Sequence, residues 1–134
     1  MRIIVLQGMP NTGKTITLNL VHDLLLQSGG VSTNRRPLDG DPRDFTDIVI
    51  WKTMRVAFYT MGDYSNLLNR AVYSYAGQNC DVLICALSTN TPKVNANKAI
   101  NRFNNTRINK TLANAQMTEQ QANNADTQTI FNLI

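Results

Sequence analysis

A run of eight residues near the start of the chain carries the groups best able to do chemistry. Gly8-Met9-Pro10-Asn11-Thr12-Gly13-Lys14-Thr15 fits the spacing G-x-x-x-x-G-K-[ST] at every fixed position. The physical content of that spacing is an anion site. Glycines let the backbone come close to a phosphate group. Successive backbone amides and the positive end of the following helix then meet its oxygens. Lys14 is expected to reach the β- and γ-phosphates of a nucleotide, and Thr15 to offer its hydroxyl to a bound Mg²⁺. The binding segment runs from Gly8 to Ile16, where a periodic apolar pattern begins.

A metal-dependent triphosphate site also needs an acid near Thr15. Asp63 follows Phe58-Tyr59-Thr60 at the carboxyl end of an expected strand, the edge where ligands gather in open α/β sheets. It also directly precedes a helix and could cap it, and the two roles are compatible. Gly62 beside it would let the backbone approach the terminal phosphate. Asp81 sits at the beginning of its strand, which is the wrong edge, so it is expected to start that strand or cap a turn. Asp39, Asp41 and Asp44 lie in a polar loop. Asp39 and Asp41 are the preferred metal pair, because Gly40 between them lets both approach one point.

Arg35, Arg36 and Arg43 in the same loop could offset phosphate charge, or form internal ion pairs in a solvated loop. Thr89, Asn90, Pro92 and Lys93 follow the most apolar strand and are placed to border a base or a second substrate. Arg102 and Arg107 are candidates for a small lid or for ordinary surface roles. His22, inside the first helix, is expected at the surface or its boundary. Trp51 and Tyr59 are assigned to packing rather than to base stacking.

The elements that position these groups follow from periodicity. Met1 to Leu6 reads as a buried strand. Lys14 to Gln27 reads as a helix with Ile16, Leu20, Val21, Leu24 and Leu25 toward a sheet, ended by Ser28-Gly29-Gly30. Thr33 to Asp44 reads as a polar loop. Phe45 to Trp51 and Arg55 to Thr60 read as strands, and the short gap between them requires an antiparallel hairpin. A helix follows, with Leu67, Leu68, Ala71, Val72, Tyr75 and Ala76 on its apolar face, stopped at Gly77-Gln78-Asn79. Asp81 to Leu87 reads as a central parallel strand covered on both faces.

The last third is open to two readings. One gives a helix over 94–104, a strand over 106–112 and a helix over 119–133 packed through Ala122, Ala125, Ile130 and Leu133. The other is one long helix from Lys93.

The 134 residues predict a single domain spanning 1–134. The net charge of +4 is spread out, without a lysine or arginine run, and suits small anionic ligands more than a nucleic-acid surface. The two cysteines, Cys80 and Cys85, fit buried thiols on opposite faces of a strand in a reducing compartment. No signal-peptide pattern opens the chain, and no apolar stretch reaches the roughly 20 residues that span a bilayer. A soluble cytoplasmic protein is the expectation, with a nucleotide and possible protein or small-molecule partners, and no membrane or specific nucleic acid.

The motif Gly8 to Thr15, with its strand and helix, resembles the P-loop NTPase superfamily. That resemblance implies a three-layer α/β sandwich with a mixed, mostly parallel sheet containing one antiparallel hairpin. The hairpin and Gly62-Asp63 look similar to the corresponding segment of small GTPases. They depart from it because glycine precedes aspartate, and Asn109-Lys110 is followed by Thr111 and Leu112 rather than by a guanine-reading Asp. Gly-x-Pro-x-x-Gly-Lys-Thr is also similar to nucleotide and small-molecule kinases, which implies γ-phosphoryl transfer with Mg²⁺. The chain as a whole resembles small uncharacterised ATP-binding proteins of bacteria and phages, a likeness that supplies no activity.

The functional expectation is Mg-dependent binding and hydrolysis of a nucleoside triphosphate, with ATP preferred. Lys14 and Asp63 would be catalytic, and Thr15, Asp63, Asp39 and Asp41 would serve the metal. A kinase and a non-catalytic nucleotide sensor are the alternatives.

Overall fold

A computed structural model describes residues 1–134. Its elements are β1 (Arg2–Gly8), α1 (Lys14–Gln27), β2 (Val31–Ser32), β3 (Arg36–Pro37), β4 (Phe45–Trp51), β5 (Met54–Tyr59), α2 (Ser65–Gly77), β6 (Val82–Ser88), α3 (Val94–Ile100), β7 (Asn104–Asn109) and α4 (Glu119–Leu133). They form a three-layer α/β sandwich around one seven-stranded sheet in the order β2-β4-β5-β6-β1-β7, with β3 also paired to β4. β5, β6, β1 and β7 run parallel. β4 is antiparallel to β5, β2 and β3.

Strand alternation divides the core in two. Ile3 and Val5 of β1, with Leu83 and Cys85 of β6, pack against Leu68, Val72 and Tyr75 of α2 and Ala96, Ala99 and Ile100 of α3. Ile4 and Leu6, with Ile84 and Ala86, face Leu18, Val21 and Leu25 of α1 and Ile130 of α4. Every residue of β6 is buried, as its near-continuous apolarity requires of a strand covered on both faces. The hairpin turn is tight. Lys52 takes a left-handed backbone with φ 55°, and the next residue but one already belongs to β5.

The helix expected over 14–27 has those bounds, but the buried face is shifted. Thr17, Leu18, Val21, His22 and Leu25 are buried, whereas Ile16 is 38% exposed. His22 is 1% exposed, which overturns its surface assignment. Its Nε2 lies 2.7 Å from Asp47 Oδ2, and Arg35 Nη1 lies 3.1 Å from its Nδ1. A guanidinium can only donate, so Nδ1 accepts and the ring proton on Nε2 goes to Asp47. The ring also packs edge-on against Phe45 and Phe58. Burial favours the neutral Asp47 carboxyl, but the Ser32 hydroxyl, His22 and the Asn34 amide together hold its pKa below the usual value. A polar residue enters the core here because its bonds are complete.

The segment read as an irregular loop is partly sheet, since β3 and the Thr33 amide bond to β4. In α2, Leu67 is exposed while Leu68, Ala71, Val72 and Tyr75 are buried. Of the two readings of the last third, the broken one holds, as α3, β7 and α4. α4 does not pack through Ala125 and Leu133, both of which are exposed. Its buried side carries Ala122, Asn123, Asp126, Thr127 and Ile130. Both cysteines fall in one core cluster rather than on opposite faces, because Cys80 precedes β6, where strand alternation does not hold. Burial pushes the Cys85 thiol up to about 12, so it is inert. No helix is long and apolar enough to cross a membrane.

Candidate functional site

The loop between β1 and α1 emerges at the edge where the parallel strands end. Its shape needs left-handed backbone at two positions, Asn11 (φ 60°) and Gly13 (φ 96°). Gly13 meets both requirements for glycine, because a Cβ there would also lie 2.5 Å from Asn123 Oδ1 of α4. Thr12 Oγ1 donates to the Met9 carbonyl at 2.8 Å and closes the turn. Lys14 folds back over the loop, its ammonium donating to the carbonyls of Gly8 (3.0 Å) and Met9 (2.6 Å). Burial is the main influence on Lys14 and lowers its pKa, Asp63 opposes that, and the nearby Lys110 and Lys93 charges lower it further.

A cavity of about 650 Å³ opens over this loop. Pro10 through Ile16 line it, with Asp44, Thr60, Gly62, Asp63 and Ser88 from the strand ends. Leu112, Ala113, Glu119 and Asn123 form the wall on the α4 side. Gly8 and Met9 are not on the cavity wall and contribute the carbonyls that hold Lys14.

The acid beside Thr15 is Asp44, not Asp39 or Asp41. Asp44 Oδ1 accepts from Thr15 Oγ1 at 3.0 Å and from Thr60 Oγ1 at 2.8 Å. The Phe45 amide in turn bonds to Thr60 Oγ1 at 2.9 Å. Asp44 is buried, yet its Oδ2 has no protein donor and is open to solvent. Asp39 is exposed and off the cavity wall. Asp41 is on the wall but bound to Arg43, whose guanidinium reaches it at 3.0 and 2.7 Å and whose amide reaches it at 2.8 Å. The Arg43 side chain holds the Asp41 carboxyl near 2. Gly40 therefore does not bring both acids to one point.

The signal for Asp44 was topological. β4 is antiparallel, so its first residues lie at the same edge as the last residues of β5 and β6. The edge rule that selects Asp63 selects Asp44 equally.

Asp63 lies on the cavity wall and accepts a hydrogen bond from Ser88 Oγ at the end of β6. It is not the cap of α2, whose N-cap residue is Tyr64 without a side-chain bond. Gly62 is glycine for a packing reason, because a Cβ there would lie 2.4 Å from the Ala86 carbonyl oxygen. That close approach brings Asp63 against β6. Asp81 does what its place at the strand start suggests, accepting from the Arg55 amide at 2.8 Å.

Arg35 stacks 4.0 Å over Phe45 and Arg36 belongs to β3, so neither lines the cavity. Arg107 bonds Gln7, Asn97 and Asn101. Lys110 is buried against Gly8 and paired with Asp126 at 3.0 Å.

Thr15 and Asp44 offer a hydroxyl and a carboxylate side by side. That hard-oxygen pair fits Mg²⁺, which takes few protein ligands and keeps waters and substrate phosphates. No cluster of three or more His, Cys, Asp or Glu side chains suits an all-protein metal cage. No family model, curated protein or solved structure matches the chain.

Proposed function

We propose that the chain is a P-loop nucleotide-binding protein that takes Mg-ATP and hydrolyses its terminal phosphoanhydride. The observation that carries this reading is the part-buried Asp44–Thr15 pair at the mouth of the glycine loop, with a free carboxylate oxygen in a cavity large enough for a nucleotide. The triphosphate would lie along the loop amides, with the Lys14 ammonium leaving the Gly8 and Met9 carbonyls for the phosphate oxygens. Thr15 and Asp44 would hold Mg²⁺, which when bound neutralises phosphate charge.

Asp63, positioned by Ser88, would orient the attacking water and accept its proton. The water oxygen forms the new bond to the γ-phosphorus as the bond to the bridging oxygen breaks, releasing ADP and phosphate. ATP is favoured over GTP because Lys110, the lysine nearest in type to a guanine reader, is held under the loop by Asp126. The test is release of γ-phosphate by purified wild type and Lys14→Ala at equal concentration. Loss of release in the variant is expected, and equal rates would overturn the assignment.

A further inference from the structure

Three buried lysines surround the phosphate loop, and they differ in what balances their charge. Lys110 is 6% exposed and has Asp126. Lys14 is 7% exposed and stands at the mouth of the nucleotide cavity. Lys93 is 5% exposed and has no carboxylate within 4.0 Å, since the ion pairs of the chain are His22–Asp47, Arg43–Asp41 and Lys110–Asp126. Its ammonium meets only neutral oxygens, Asn90 Oδ1 and the Thr91 carbonyl at 3.3 Å and Thr91 Oγ1 at 2.5 Å. A desolvated cation without a counter-charge is costly, and an incoming anion relieves that cost.

Lys93 borders a second cavity, of about 380 Å³, that shares Ser88 with the nucleotide cavity. No carboxylate lines it; besides Lys93 its polar walls are Gln7, Ser88, Thr89, Asn90, Thr91 and Asn97. Arg107 stands behind two of these walls, donating to Asn97 Oδ1 at 2.8 Å and Gln7 Oε1 at 3.3 Å, and it too lacks a carboxylate partner. Asp63 lines a neighbouring groove together with Lys93 and accepts from Ser88. The cavity therefore combines the Thr89 and Thr91 hydroxyls and the Asn90 amide with the Lys93 ammonium, and Arg107 adds a second cation behind its wall.

We propose that this cavity is a subsite for the oxyanion group, phosphate or carboxylate, of a second small molecule, held by Lys93 and adjoining the nucleotide site through Ser88. The assignment does not require a nucleotide in the glycine loop. A ligand anchored at Lys93 would extend toward Ser88, the residue that lines both cavities.

The test is titration of the full chain with inorganic phosphate, and in parallel with acetate, followed by amide NMR shifts. The proteins are wild type, Lys14→Ala, Lys93→Met and Lys93→Arg. Saturable shifts at Thr89, Asn90 and Asn97 are expected in wild type and in Lys14→Ala. Lys93→Met should weaken them at least tenfold, and Lys93→Arg should retain affinity within about threefold of wild type. Stronger binding of phosphate or of acetate identifies which group the ligand carries. Shifts confined to residues 8–16, or equal affinity in a folded Lys93→Met, would overturn the subsite. Because loop and subsite amides are read separately, failure of the nucleotide reading shows at 8–16 and failure of this one at 89–97. Should Lys93→Met not fold, absence of shifts at 89–97 in wild type is sufficient to refute the proposal.

Discussion

Replacing Asp44 by asparagine isolates the charge at the mouth of the loop. The change keeps the side-chain shape and one acceptor oxygen for the hydroxyls of Thr15 (3.0 Å) and Thr60 (2.8 Å). Two charge-assisted bonds become neutral ones, which costs roughly 1 kcal/mol each, or about 2 kcal/mol of stability. The fold should survive that loss, and chemical denaturation measures it.

The effect on the metal is separate. A unit charge pair at 4 Å is worth about 1 kcal/mol in water and about 4 at an effective dielectric of 20. A divalent ion doubles these values to about 2 and about 8. Asp44 is buried although its Oδ2 faces the cavity, so the figure for water is the lower bound. Mg²⁺-dependent nucleotide affinity should therefore fall by at least about 2 kcal/mol, close to 30-fold or more. Calorimetric titration of ATP with and without Mg²⁺ gives the difference. Asp44→Asn should lose most of the Mg²⁺ enhancement and change little in its absence. An unchanged Mg²⁺ enhancement in a folded Asp44→Asn would refute the metal role of Asp44. If Asp41→Asn abolished it instead, the loop acid would be the ligand.

Two glycine substitutions should move stability in opposite directions. Gly62→Ala drives a Cβ into the Ala86 carbonyl, a backbone group that cannot rotate away, and should cost on the order of 3 kcal/mol, by analogy with overpacked cores. Gly77→Ala meets nothing within 4 Å at the end of α2 and should add roughly 0.5–1 kcal/mol. Urea unfolding of both variants checks the pair, and equal effects would contradict the packing argument.

The lowered pKa of Lys14 predicts two pH trends of opposite sign. A phosphate favours the ammonium and raises that pKa on binding, so nucleotide affinity should fall as pH rises through the depressed value, below 10.5. The unfolded chain holds the Lys14 proton up to the ordinary value, so this residue's contribution to folding stability rises with pH over the same window. Affinity measured against pH should flatten in Lys14→Met; a persistent slope there would assign the titration to another group.

Much of the architecture was legible in local patterns. The bounds of α1, β4 and α4 follow from where periodic runs meet their stops. Glycine ends the α1 run, while Thr118 and Gln121 form a capping box that starts α4. The hairpin followed from a gap too short for a crossover. The glycine loop between β1 and α1 followed from glycine and lysine spacing alone, because its shape is built from residues within one turn.

Residues whose role depends on a distant partner were not legible. His22 reads as polar within its helix, and only Asp47 from β4 and Arg35 from the segment between β2 and β3 complete its bonds and allow its burial. Asn123, Asp126 and Thr127 look like the solvent face of α4, yet they pack on Gly13, Lys110 and Thr17. Asp44 looked like one loop acid among several until strand direction set it against Thr15. Sequence alone thus determines the features built from neighbouring residues, namely the glycine loop, the helix bounds and the hairpin. Tertiary structure alone decides which acid stands at the loop and which buried lysines lack a carboxylate partner, because both depend on distances between chain segments that no local pattern encodes.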